Sequence, residues 1–209
     1  MKMNKSLLAA TCLLLASKFY EIDDNLILSD DFTRKVDKRI TYETLTRSEL
    51  FVLNKLKWNL LHVMPIDYIQ IAFKLGLVQK SDQTTKDRNI SNFSQTEQED
   101  LAQKVGKQSL KLTEFCAHNL KLRDSWKPSE LGYAILILTR QINSLKDEWA
   151  LDFLSHYVRD KETKLRINEL KLLIISKLKE KDFRDLYFLG VTIAQLDQIE
   201  RTTEVQRTS

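Results

Sequence analysis

The sequence predicts an all-α protein built from two helical bundles, and three observations carry that expectation. Gly and Pro are scarce, 4 and 2 in 209 residues, which disfavours a turn-rich β architecture. Apolar residues, 43% of the chain, recur at helical spacing on both sides of one polar stretch. No segment of useful length alternates apolar and polar residues as a half-buried strand would.

The elements follow in chain order. The first helix covers about Asn4–Tyr20 and is apolar nearly all round, which predicts a central, buried helix. The polar stretch Asp23–Lys38 follows it. A second helix runs from about Thr41 to Lys57, with Thr41 as N-cap and Glu43–Glu49 placing negative charge early. A third starts at Pro65, a favoured first-turn residue, and stops at Phe73 or Leu75 before Gly76. Residues 79–98 are polar and nearly free of core residues, and read as an exposed linker. Beyond it the periodicity predicts helices over Glu97–Lys121, Pro128–Leu145, Glu148–Arg159 and Lys161–Leu178, then a shorter piece over Asp185–Ile199. Short connections gather these into bundles. The domain reading is 1–78 for the N-terminal bundle, 79–96 for the linker, 97–200 for the C-terminal bundle and 201–209 for a frayed tail.

Charge narrows the function. Thirty-three basic and 29 acidic residues leave a net +4, with no basic run of five, so no nucleic-acid footprint stands out. Cys12 and Cys116 each sit among apolar residues, as buried reduced thiols of an intracellular protein would. Three scattered histidines give no metal-ligand spacing, so no metal or other cofactor is expected. Neither a phosphate-cradling Gly-rich loop nor a nucleophile motif is present, which argues against an enzyme and leaves no catalytic residue to assign. One alternative competes: Lys2 and Lys5 before the apolar run Leu7–Ala16 resemble a secretion signal. Asn89-Ile-Ser and Asn92-Phe-Ser are glycosylation sequons. Removing that segment, however, would delete a core helix. No stretch reaches the roughly 20 apolar residues that span a bilayer.

Two charges stand where apolar residues are expected. At about 100° per residue, Tyr42, Leu45, Val52, Leu53 and Leu56 form one stripe, and Glu49 lies in its middle. Lys18 shares a face of the first helix with Leu7, Thr11, Leu14 and Ile22. A carboxylate in such a stripe must be paired, or must meet a partner that replaces its water. The plainer alternative is that Lys18 complements the helix C-terminus and snorkels to water while Glu49 is an ordinary surface residue. A Lys–Glu pair in a surface notch could instead bind a partner's backbone, Lys donating and Glu accepting.

These same segments resemble a known family. Leu8-Ala-Ala-Thr-Cys-Leu-Leu-Leu-Ala-Ser-Lys-Phe-Tyr-Glu-Ile22 resembles the third helix of a cyclin box, with Lys18 and Glu21 at the positions of its Ala-Ser-Lys…Glu core. Arg47-Ser-Glu-Leu-Phe-Val-Leu-Asn-Lys-Leu-Lys-Trp-Asn-Leu60 resembles the next helix and its exit, and the run from Asn54 looks like D-type cyclins. Pro65-Ile-Asp-Tyr-Ile-Gln resembles the start of the following helix. More weakly, Phe115-Cys-Ala-His-Asn-Leu with Lys127-Pro-Ser-Glu-Leu-Gly-Tyr resembles the opening of a second cyclin fold.

The resemblance implies a regulatory subunit that pairs with a cyclin-dependent protein kinase as a heterodimer, activates it in cell-cycle control, and works in nucleus and cytoplasm without a membrane or nucleic acid. It implies that Lys18 donates to kinase backbone carbonyls, that Glu49 pairs with Lys18 and accepts from kinase amides, and that Phe19, Leu53 and Trp58 supply apolar contact. Three departures qualify the match. Tyr20 stands where the family often has an acidic residue, and the loop before Thr41 is slightly long. The two helices that precede the Ala-Ser-Lys helix in a complete box have no counterpart here. The expectation is a chain truncated at its start; the alternative is a genuine absence, with other groups covering that surface. Two further functions stay open: a transcription-type cyclin or cyclin-fold factor, and a degenerate helical scaffold that activates nothing.

Overall fold

Residues 4–20, 40–86, 88–146, 158 and 160–208 are described in this computed structural model. Glu21, Ile22, the polar stretch 23–38 and Lys2 lie outside them, as does the helix expected over 148–159 apart from the buried Val158. The described residues are all-α, and their only β pairing is two isolated bridges, Gln83 with Asn89 and Thr84 with Leu145. The chain forms two compact units, 1–62 and 63–209.

In the first unit, α1 (Lys5–Tyr20) packs against α2 (Tyr42–Lys55). Asn4 Oδ1 accepts from Leu7 N at 2.7 Å and caps α1. Thr41 Oγ1 accepts from Thr44 N at 3.2 Å and caps α2, which satisfies donors that a helix start leaves open. Leu7, Ala10, Leu14, Ile40 and Leu45 form the core. Thr11 and Ser48 are buried as well, and each hydroxyl bonds back to its own helix, on Leu7 O and Thr44 O. Small, self-satisfied side chains of this kind fit a close helix contact without orphaned polar groups. The expected all-round burial of α1 does not hold: Leu8, Cys12 and Leu13 are exposed. One face of α1 meets α2; the other is apolar but open.

In the second unit, the all-round buried helix is α6. After α3 (Pro65–Leu75), a 3₁₀ turn (Ile90–Asn92), α4 (Gln95–His118) and α5 (Leu120–Ser125), α6 (Pro128–Ile142) runs through the middle. It packs against α3, α4 and α7 (Lys161–Lys179). Every residue from Glu130 to Arg140 along α6 is buried. Gly132 allows the α3 contact, because a Cβ there would sit 3.0 Å from Pro65 O and from Tyr68 Cβ. Tyr68 and Tyr133 then meet edge to face at 5.4 Å. The helix from Pro65, grouped by sequence with residues 1–78, thus packs inside the second unit.

The stretch read as an exposed linker is tied down. Asp82 and Ile90 are buried. Ile90 N donates to Asp82 O, Lys146 N to Gln83 O and Thr85 N to Ser144 O. Ser94 and Glu97 close a capping box that starts α4, and its bonds lower the Glu97 pKa. Polar composition hid this order because the anchoring groups are themselves polar.

Two expected helices are each divided. Asn119 ends α4, and its side chain caps α5 through Leu122 N. Gly190, at φ 67°, ends α8 (Phe183–Leu189) in the left-handed conformation that glycine adopts freely. Then α9 (Ile193–Thr208) continues through the stretch expected to fray. Thr203 is buried, and Lys179 holds Asp197 at 2.6 Å and Glu200 at 2.5 Å. Both bonds to those carboxylates raise the Lys179 pKa.

Candidate functional site

The charges that interrupt the two apolar stripes meet. Lys18, in the last turn of α1, brings Nζ to 2.7 Å from Glu49 Oε1 in the third turn of α2. The side chains are unequally covered: Lys18 is 49% exposed and Glu49 11%. The lysine stem leaves the same side of α1 as the buried Leu7, Thr11 and Leu14, while its ammonium reaches water. Glu49 follows Ser48 and precedes Val52 on the buried face of α2. The helix pair therefore holds the carboxylate in place, and the lysine is the accessible half.

This arrangement leaves hydrogen-bonding capacity at the rim. An ammonium has three donors, and Glu49 takes one of them. Among the described residues, Glu49 Oε2 accepts no hydrogen bond. An incoming backbone could thus find both donor and acceptor in one notch, as extended chain or as a helix end.

Apolar groups flank the notch. Phe19 follows Lys18 directly, is exposed, and meets Tyr20 edge to face at 4.9 Å. Leu53 is half-buried one turn beyond Glu49, and Leu56, on the same stripe, is exposed. Trp58 is placed differently. It lies past the end of α2, is 63% exposed, and donates from Nε1 to Asn54 Oδ1 at 3.1 Å. Five residues separate Asn54 from Glu49, a rotation of about 140° round the helix. The indole is therefore anchored on another side of α2 from the carboxylate. Of the five residues singled out in the sequence, Lys18, Phe19, Glu49 and Leu53 belong to the notch and its edge, and Trp58 extends the surface round the helix end.

Sequence reasoning missed the Asn54–Trp58 bond. The four-residue spacing between an amide and an indole was its only signal. Among the described residues, no group of three His, Cys, Asp or Glu side chains could hold a metal ion, and no helix is long and apolar enough to cross a membrane.

Comparison with known proteins covers the segment that holds this pair. The family model described as cyclin, N-terminal domain, matches residues 1–61, which include Lys18, Glu49 and Trp58. The chain is similar to G1/S-specific cyclin-D2 of Rattus norvegicus and of Mus musculus, 35% identical over 91 residues in each case. That stretch is 40% of this chain and 31% of either relative. It is also similar to G1/S-specific cyclin-D1 of Danio rerio, 37% identical over 83 residues, 39% of this chain and 28% of that relative. The chain thus matches less than a third of the length of these curated relatives. The Lys18–Glu49 notch lies inside a segment that matches the cyclin N-terminal domain and is similar to D-type cyclins.

Proposed function

We propose that this chain is a non-enzymatic regulatory subunit that binds a cyclin-dependent protein kinase and activates it in cell-cycle control. The observation that carries the reading is the Lys18–Glu49 pair, a covered carboxylate and an accessible ammonium 2.7 Å apart within the segment that matches the cyclin N-terminal domain. In this reading Lys18 donates to backbone carbonyls of the kinase's regulatory helix region, and Glu49 accepts from its amides. Phe19, Leu53 and Trp58 cover apolar side chains of the same element. Docking turns the kinase helix inward, so that its glutamate meets the lysine that positions phosphate. The work is conformational: the chain supplies binding energy to one state of its partner and performs no chemistry. Action in nucleus and cytoplasm goes with this role.

The test is retention of cyclin-dependent kinases by the full chain, compared with Lys18→Ala and Glu49→Ala. Truncating one member of a charge pair that is desolvated in a complex costs about 2–5 kcal/mol. Each variant is expected to lose at least roughly thirtyfold in affinity. Equal retention by all three proteins overturns the assignment.

A further inference from the structure

The turn that carries Trp58 is unusual in its backbone. Lys57 and Trp58 both have positive φ, 53° and 61°, a left-handed conformation that bulky L residues rarely adopt. Helix ends of this kind usually take glycine. Here the chain is closed by Trp58 N on Leu53 O at 2.8 Å and Lys57 N on Asn54 O at 3.1 Å. The outcome of the strained closure is a large indole standing in solvent. Such strain persists where surrounding contacts fix it and often marks a functional position.

The indole is also held at its tip. Its one polar atom, Nε1, is occupied by Asn54 Oδ1 at 3.1 Å. A partner therefore meets the ring faces and has no donor left to satisfy. Asn54 itself is exposed and makes no other side-chain bond among the described residues.

We propose that Asn54 is a positioning residue: its side-chain oxygen fixes the exposed Trp58 indole past the end of α2, round the helix from the Lys18–Glu49 notch, ready-made for the kinase surface. The inference rests on the kinase-docking reading above and adds to it how one anchor is set in advance. An anchor already fixed loses little freedom on docking, and ordering one such side chain is worth roughly two- to tenfold in affinity. Asn54 acts through Trp58 and touches no partner group itself.

The experiment measures, by calorimetry with the full chain, affinity for the kinase that the wild type retains. The proteins are wild type, Asn54→Leu, Asn54→Asp, Trp58→Ala, the Asn54→Leu/Trp58→Ala double variant and Lys18→Ala. Asn54→Leu removes the acceptor at similar volume and is expected to weaken binding about three- to tenfold. Asn54→Asp keeps an oxygen in place and should stay within about twofold of wild type. In the Trp58→Ala background, Asn54→Leu should have no further effect. The Trp58 indole N–H resonance should shift in Asn54→Leu without any kinase present. Wild-type affinity in Asn54→Leu, or an equal loss with Trp58 already removed, overturns the proposal while Lys18→Ala still reports on the notch. No binding by the wild type overturns the docking reading, and this inference with it.

Discussion

Arg140 closes on Asp82 with both arms of its guanidinium, Nη2 to Oδ1 at 2.7 Å and Nη1 to Oδ2 at 3.0 Å, across 58 residues of chain. Both side chains are buried. Nη1 also donates to Leu77 O at 2.8 Å, and Asp82 Oδ2 accepts from Gln79 N at 2.7 Å. One α6 side chain thereby pins the exit of α3 and the polar stretch that follows. Removing one partner leaves the other charged and dry. Asp82→Asn or Arg140→Met should therefore lower unfolding free energy by about 3–5 kcal/mol, measured by urea denaturation. Replacing both, Arg140→Met with Asp82→Leu, should recover part of that loss, because an uncompensated charge costs more than an absent pair. A single variant as stable as wild type would remove the staple from the energetics of the fold.

That pair also marks where the sequence stops being informative. Helices announced by caps and breakers were legible: Thr41, Pro65, Gly76 and Pro128 stand where their residue types predict. The Lys18–Glu49 notch was legible because a charge in an apolar stripe is a local anomaly. Asp82 was not, since an aspartate in a polar stretch looks like any solvated residue, and its partner lies far along the chain. The same holds for Asn119 and Gly190, whose effects depend on one side-chain bond and one backbone angle. The nearly all-round apolar character of α1 predicts a buried helix. Burial requires neighbours, however, and those surround α6.

The two cysteines should separate cleanly in reactivity. Cys116 is buried on α4, and burial pushes its thiol up to about 12, so almost no thiolate exists near pH 8. Cys12 lies on the open face of α1 and is exposed. Alkylation of the native chain near pH 8, followed by mass spectrometry, should give one fast adduct, on Cys12. Cys116 should react only when denaturant is added. Equal labelling rates would mean that α4 opens readily or that the exposed face of α1 is covered.

Acid should weaken the start of α7 through Asp160. Its carboxylate accepts from Thr163 N at 2.6 Å, and that backbone bond first, then the Thr163 side chain, holds its pKa below the usual value. A folded pKa below the unfolded one contributes stability above the unfolded value, near 4. That contribution is lost as pH falls through the folded value. Asp160→Asn keeps a capping oxygen without a charge. Thermal melts from neutral pH to about pH 2 should show the wild type losing ground to Asp160→Asn as pH drops below about 4. Parallel profiles would show that the charged cap adds nothing.

Glu49→Gln separates a pair that holds the fold from a pair that serves a partner. The amide keeps the shape and an oxygen for Lys18, and removes the charge. In the isolated chain Lys18 is half exposed, so water screens the attraction, and such pairs contribute about 0–1 kcal/mol. The urea midpoint of Glu49→Gln should therefore stay close to wild type, in contrast to the Arg140 and Asp82 variants. Kinase affinity should respond differently. In a complex the screening water is displaced, and the same neutralisation then costs more because it acts at low dielectric. A small stability change together with at least a tenfold loss of affinity is the expected pattern. If instead stability falls by several kcal/mol and affinity per folded molecule is unchanged, the Lys18–Glu49 bond is an internal strut of the α1–α2 pair, and the docking role belongs elsewhere.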